Sequence, residues 1–158
     1  MSEQSVNDII SFVIQVEKEG AAFYRKLAAE VRGQATKNVF LGLLKDEVQH
    51  QKDFESIAEA MGGGAYAMAS DMNLAGVMSA VVDRLKRGIA GSELLDMDGA
   101  TLKEALDIGI HTERETIRVY TELLGIQFPE LAKVLPRVID EEKKHLASLE
   151  NLKAKLLG

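Results

Sequence analysis

The sequence has no cysteine and no tryptophan, only two prolines, and no long apolar run. Without cysteine the chain forms no disulfide and offers no thiolate to a zinc or iron–sulfur site. With so little proline, long helices can run uninterrupted. The longest nearly apolar stretch, "LAGVMSAVV" at 74–82, is too short to cross a bilayer. The opening "MSEQSVNDIISF" lacks the basic start and apolar centre of a secretory leader. A cytoplasmic chain without a membrane partner is therefore the expectation. A net charge of −6 with no basic cluster argues against nucleic acid as a partner.

What is present favours helix. Stretches rich in Ala, Leu, Glu and Lys are strong helix formers, and 158 residues suffice for one domain with a buried core. Apolar residues at helical spacing predict four long helices, over about 5–32, 34–61, 101–124 and 129–156. The first stripe is Ile10, Val13, Ile14, Ala21, Tyr24, Leu27, Ala28 and Val31, with Ser5 as its cap and Gly33 as its stop. The second holds Phe40, Leu43, Leu44, Phe54, Ile57 and Met61, and ends at "GGG". "TLKE" reads as a capping box opening the third helix at Thr101. Its stripe is Leu102, Leu106, Ile110, Ile117, Tyr120 and Leu124. Pro129 suits the first turn of the fourth helix, while Pro136 predicts a kink or a later start. Between the second and third helices, a shorter helix is expected over 74–89, as bundle cover or a subunit contact.

The two halves repeat one pattern. A shift of 96 positions carries Glu17 onto Glu113, Tyr24 onto Tyr120 and Leu27 onto Leu123. A shift of 95 carries Asp46 onto Glu141, Glu47 onto Glu142, His50 onto His145 and Phe54 onto Leu149. "DEVQH" thus has its copy in "EEKKH". A single Glu-x-x-His would be an ordinary solvated helix face. Here Glu17 lies between Val13 and Ala21 on the apolar stripe, and Glu113 between Gly109 and Ile117. Glu47 and His50 share a face with Leu43 and Phe54, because residues three apart are neighbours on a helix. If the four stripes face one another, the core holds four carboxylates and two imidazoles with no lysine or arginine beside them. Left alone, those carboxylates are costly to bury or must take up protons. Two divalent cations balance them. An oxygen-rich set with two nitrogens suits iron or manganese better than tetrahedral zinc, and matches the constellation of di-metal carboxylate bundles.

On "VEKEGAAFYRKLA" with "DEVQHQKDF", and "HTERETIRVYTELL" with "EEKKHLASL", the chain resembles the rubrerythrins of the ferritin-like di-iron superfamily. The resemblance implies an all-α, ferritin-like four-helix bundle over 1–158, with a long crossover between its second and third helices that contains the short extra helix. It implies two iron ions (or manganese or zinc) held by Glu17, Glu47, His50, Glu113, Glu142 and His145. Glu47 and Glu142 would bridge, with Tyr24 and Tyr120 close behind the ligands. It further implies ferrous oxidation, or reduction of dioxygen or hydrogen peroxide with an external electron donor, in a homodimer. Two features depart from the family. No rubredoxin-type site is possible without cysteine, and Thr116 stands where peroxide-reducing members carry a further glutamate. Metal binding without turnover, or a helical interaction module with a structural metal, remains the alternative.

Several neighbours stay outside this set. Tyr24 and Tyr120 read equally well as core aromatics. Asp46 and Glu141 read as surface charge rather than as partners of the histidines. His111, Glu19 and Glu115 are expected to face away from the stripe.

Overall fold

The protein was analysed as a computed structural model, which describes residues 3–62, 99–125 and 128–157. Four helices make up this part: α1 (Glu3–Glu30), α2 (Gln34–Ala60), α3 (Gly99–Leu124) and α4 (Pro129–Leu157). No strand occurs among the described residues, and none of their helices is long and apolar enough to cross a membrane. The short helix expected over 74–89 lies outside them.

The helix ends differ in detail from the sequence expectation. Ser5 lies inside the first turn of α1, which begins at Glu3, and Thr101 lies two residues inside α3. Neither is a cap. Gly33 starts α2 rather than stopping α1: it is extended (φ −79°, ψ 125°), and its carbonyl accepts the Lys37 N–H at 2.9 Å. At the far end of α2, Gly62 takes φ 104°, a left-handed conformation that only glycine adopts without strain. α4 opens at Pro129 and continues through Pro136. Pro136 is exposed, so its ring points away from the core, and the later start does not occur.

α1 packs along α2, α3 along α4, and the two hairpins meet where α2 faces α4. The core divides into two apolar clusters. One joins the first half of α1 (Ile10, Val13) to the ends of α2 (Phe54, Ile57) and α3 (Tyr120, Leu123) and the start of α4 (Leu131, Leu135). The other joins the second half of α1 (Tyr24, Leu27) to the starts of α2 (Phe40, Leu43) and α3 (Leu102, Leu106) and the end of α4 (Leu149, Leu152). Both hairpins are therefore antiparallel, and α2 runs parallel to α3. α2 finishes in one cluster and α3 begins in the other, separated by about 40 Å at 1.5 Å per residue. This is the all-α, ferritin-like four-helix bundle.

Of the predicted stripes, Leu124 fails. It is 37 % exposed while Leu123 is fully buried, because the 3.6-residue period has rotated the seam by one position there. Between the clusters lies a polar waist. The eight buried polar side chains among the described residues are Glu17, Glu47, His50, Thr112, Glu113, Thr116, Glu142 and His145. Phe54 closes this waist on one side, fully buried, its ring edge-on to Tyr120 at 5.9 Å. Phe54→Ala is expected to lower stability by about 3–5 kcal/mol. Denaturant unfolding measures this, and a loss below about 1 kcal/mol would show that the ring is not packed there.

Candidate metal centre

Each functional side chain comes from mid-helix, where periodicity forces it inward. Glu17 sits on α1 and Glu113 on α3. Glu47 and His50 share the inner face of α2, as Glu142 and His145 do on α4. None of the six is more than 4 % exposed. The structure brings all six together as two groups: Glu17, Glu47, His50 and Glu142, and Glu47, Glu113, Glu142 and His145. In each group the four ligand-type atoms lie within 4.8 Å of one another. Glu47 and Glu142 belong to both.

The two imidazoles stack at 5.7 Å between centroids, and both turn Nδ1 inward. His50 Nδ1 lies 3.2 Å from Glu17 Oε2 and 2.9 Å from Glu142 Oε1. His145 Nδ1 lies 3.1 Å from both Glu47 Oε1 and Glu142 Oε2. Outward, His50 Nε2 meets Glu141 Oε2 at 2.6 Å and His145 Nε2 meets Asp46 Oδ2 at 3.3 Å. Asp46 and Glu141 are thus not merely surface charge: each acid reaches across the bundle to the histidine of the other motif. An outer carboxylate that accepts from Nε2–H leaves the Nδ1 lone pair free to face inward. The tyrosines are crossed in the same way. Tyr24 O–H donates to Glu113 and Tyr120 O–H to Glu17. They are also core aromatics, Tyr24 stacked on Phe40 and Tyr120 against Phe54. His111 is exposed, as expected, and Glu19 and Glu115 are half-buried outside the cluster.

Burial sets the protonation of this waist. Desolvation, then the neighbouring carboxylates, push Glu47 and Glu113 well above the usual carboxylate range. Burial also opposes charge on the imidazoles, but hydrogen bonds and the field of the glutamates outweigh it. His50 is pushed up to about 12, chiefly by Glu142 and Glu17, and His145 to about 9, chiefly by Glu142. For Glu142 burial acts upward, yet His145 and His50 together hold it well below the usual range. Burial and the nearby glutamates raise both tyrosines, which keeps their O–H groups as donors. With no buried lysine or arginine among the described residues, the cluster offsets its negative charge with protons.

The model of the rubrerythrin family matches residues 8–153. The chain belongs to the rubrerythrin family. No curated protein and no solved structure matches it at a significant level.

The rubrerythrin waist fits a pair of divalent ions on its own chemistry. Four carboxylates and two inward nitrogens converge with no buried lysine or arginine among the described residues, and the Nδ1 of His50 lies 2.9 Å from Glu142 Oε1. Two divalent ions would replace the protons that these carboxylates and imidazoles share. Beside Glu47, Glu113 and Glu142 lies a cavity of about 10 Å³, also lined by Val16, Gly20, Phe23, Tyr24, Thr112 and Thr116. That is near the lower limit for one water molecule. Sequence reasoning missed two of these residues. A Cβ on Gly20 would stand 2.7 Å from Glu47 Oε2, so any side chain there would push that carboxylate aside. A lone glycine inside a helical pattern was the available signal. Thr112 is buried with an unpartnered hydroxyl, and nothing in the sequence distinguishes it from a core threonine.

A histidine whose folded pKa exceeds its free value of 6.5 stabilises the fold below that pH and stops doing so as pH rises through the folded value. Raised Glu47 and Glu113 act in the same direction. Glu142, held low, matters only below about 4.5. The metal-free chain should therefore lose thermal stability as pH rises from about 6.5 through about 9, and the metal-loaded chain much less. A melting temperature flat across that range without metal would contradict the charge assignment.

Proposed function

We propose that this chain is a di-iron carboxylate oxidoreductase, oxidising Fe(II) or reducing hydrogen peroxide or dioxygen at the waist of the bundle. The observation that carries the reading is the pair of four-residue groups sharing Glu47 and Glu142. In this assignment Glu17 and His50 would hold one ion, Glu113 and His145 the other, and Glu47 and Glu142 would serve both. Bound iron would supply electrons, two of which with two protons reduce one peroxide to two waters, and an external donor would restore them.

The chain's own residues have definite tasks around that centre. Tyr24 and Tyr120 orient the terminal carboxylates through the hydrogen bonds they donate to Glu113 and Glu17. Glu141 and Asp46 fix the ring planes of the histidines from outside. Apolar clusters above and below exclude bulk water, which strengthens electrostatic interactions within. The cavity beside Glu113 has room for about one water molecule, and the free hydroxyl of Thr112 offers it a hydrogen bond.

A second reading is metal handling without turnover, with iron, manganese or zinc. Buried Thr116 favours it, because the peroxide-reducing proteins that the chain resembles carry a carboxylate there. Aerobic addition of Fe(II) to metal-free protein separates the two. The redox reading expects a near-ultraviolet ferric band that saturates at two irons per chain, one for each four-residue group. Glu47→Ala and His50→Ala should each lower iron affinity by at least about tenfold and reduce that stoichiometry. Tight zinc binding with no ferric band would sink the redox reading, and two irons retained with unchanged spectra in both variants would refute the ligand assignment. Turnover rates with peroxide against dioxygen, given a reductant, then identify the oxidant.

A further inference from the structure

The repeat is followed closely by the six inward residues and broken just outside them. His50 Nε2 meets Glu141 at 2.6 Å, and Glu141 is itself held by Arg137, whose Nη1 lies 3.0 Å from the same oxygen. The other guanidinium nitrogen pairs with Asp53 of α2, the helix that carries His50. Glu141 is therefore gripped from both helices, and Gln49 steadies Asp53 at 2.9 Å. On the other side, His145 Nε2 meets Asp46 at 3.3 Å, and Asp46 is 51 % exposed. The repeat mates of Arg137 and Asp53 are Gly42 and Ser148, so no guanidinium stands behind Asp46 from that position. The cavity is one-sided too, touching Glu113 but not Glu17.

We propose that the two ion positions are held unequally: Glu17 with His50 forms the retained position, and Glu113 with His145 the one at which a divalent ion exchanges. The Arg137–Glu141 clamp makes the difference. Outer partners fix the ring orientation and basicity of a metal-binding histidine, and their loss typically costs about 10–100-fold in affinity. The His50 ring is fixed by an anchored carboxylate. The His145 ring relies on an exposed one with greater freedom, and Glu113 of the same position borders a cavity with room for about one water. Arg137 is on this account a positioning residue, acting on the metal through Glu141 and His50. The inference rests on the proposed metal binding at this site.

Titration of the metal-free, full-length chain with Co(II), followed by its visible absorption and by calorimetry, tests it without any turnover. Two binding steps are expected, separated beyond the statistical spread of identical sites. Arg137→Ala should weaken the tighter step by roughly tenfold and leave the weaker one unchanged. Gly42→Arg should do the converse, because a Cβ there meets nothing within 4 Å and an arginine four residues before Asp46 can reach it along the helix. That variant should tighten the weaker step and bring the two affinities together. Equal steps in the native chain, weakening of the wrong step in Arg137→Ala, or no response to Gly42→Arg would each overturn the inference while leaving the metal site standing. Failure to bind two cobalt ions would overturn the metal reading and the inference with it. Both substitutions lie on exposed positions, and unchanged helical circular dichroism verifies the fold.

Discussion

The structure is organised around negative charge that has been taken out of water. Glu17, Glu47, Glu113 and Glu142 lie between two apolar clusters, where an unpaired ion would cost several kcal/mol even after relaxation. Each has to find a partner, and among the described residues none is a lysine or an arginine. The available partners are tyrosine hydroxyls, imidazoles, protons and, in the reading proposed above, divalent ions. This constraint also sets the register of the helices. Rotating α1 by one residue would take Glu17 away from Tyr120 and His50 together, and would bring a neighbouring side chain into a waist that has no room for it. The apolar clusters supply the favourable burial, and the waist selects which packing of those clusters is allowed.

The tyrosines and the outer carboxylates come from the opposite hairpin. Tyr24 of α1 serves Glu113 of α3, and Tyr120 of α3 serves Glu17 of α1. Glu141 of α4 serves His50 of α2, and Asp46 of α2 serves His145 of α4. A hairpin standing alone would keep the contact of His50 with Glu17, or of His145 with Glu142, but would lose the tyrosine and the outer carboxylate that complete them. Burying the waist is thus a reason for the two halves to dock, in addition to the area they hide. The crossing follows from the antiparallel arrangement of α1 with α3 and of α2 with α4, which places equivalent residues on opposite sides of a local two-fold relation.

Much of this was legible in the chain. The 3.6-residue period located four helices within a few residues of their ends, and the repeat at 95 and 96 positions picked out six of the eight buried polar residues of the waist. What escaped notice was whatever depends on the other half of the molecule. Asp46 and Glu141 point about 100° away from their neighbouring glutamates on the helix, so within one helix they look like surface charge. Only across the bundle do they meet a histidine. Gly20 went unremarked, because its need for closeness belongs to Glu47 on α2. The caps failed differently. Ser5 and Thr101 have the residue types of caps, yet helix ends are decided by which preceding turn packs, and propensity is a weak guide to that.

The departures from the repeat are as informative as the repeat. Positions that must hold charge are copied with the same chemistry, glutamate on glutamate, histidine on histidine and tyrosine on tyrosine. Positions that differ surround them: Val16 against Thr112, Gly20 against Thr116, and Gly42 against Arg137. A bundle that needed only to bury two balanced charges would gain nothing from such differences, since any partner useful on one side would be equally useful on the other. Here the differences are polar and lie on two layers. Thr112 and Thr116 line the cavity on the α3 side, and Arg137 braces an outer carboxylate on α4. One half of the centre is thereby given an opening and the other a support. Equal ligands with unequal surroundings let the two halves differ in hold and access while the charge balance that stabilises the bundle stays intact.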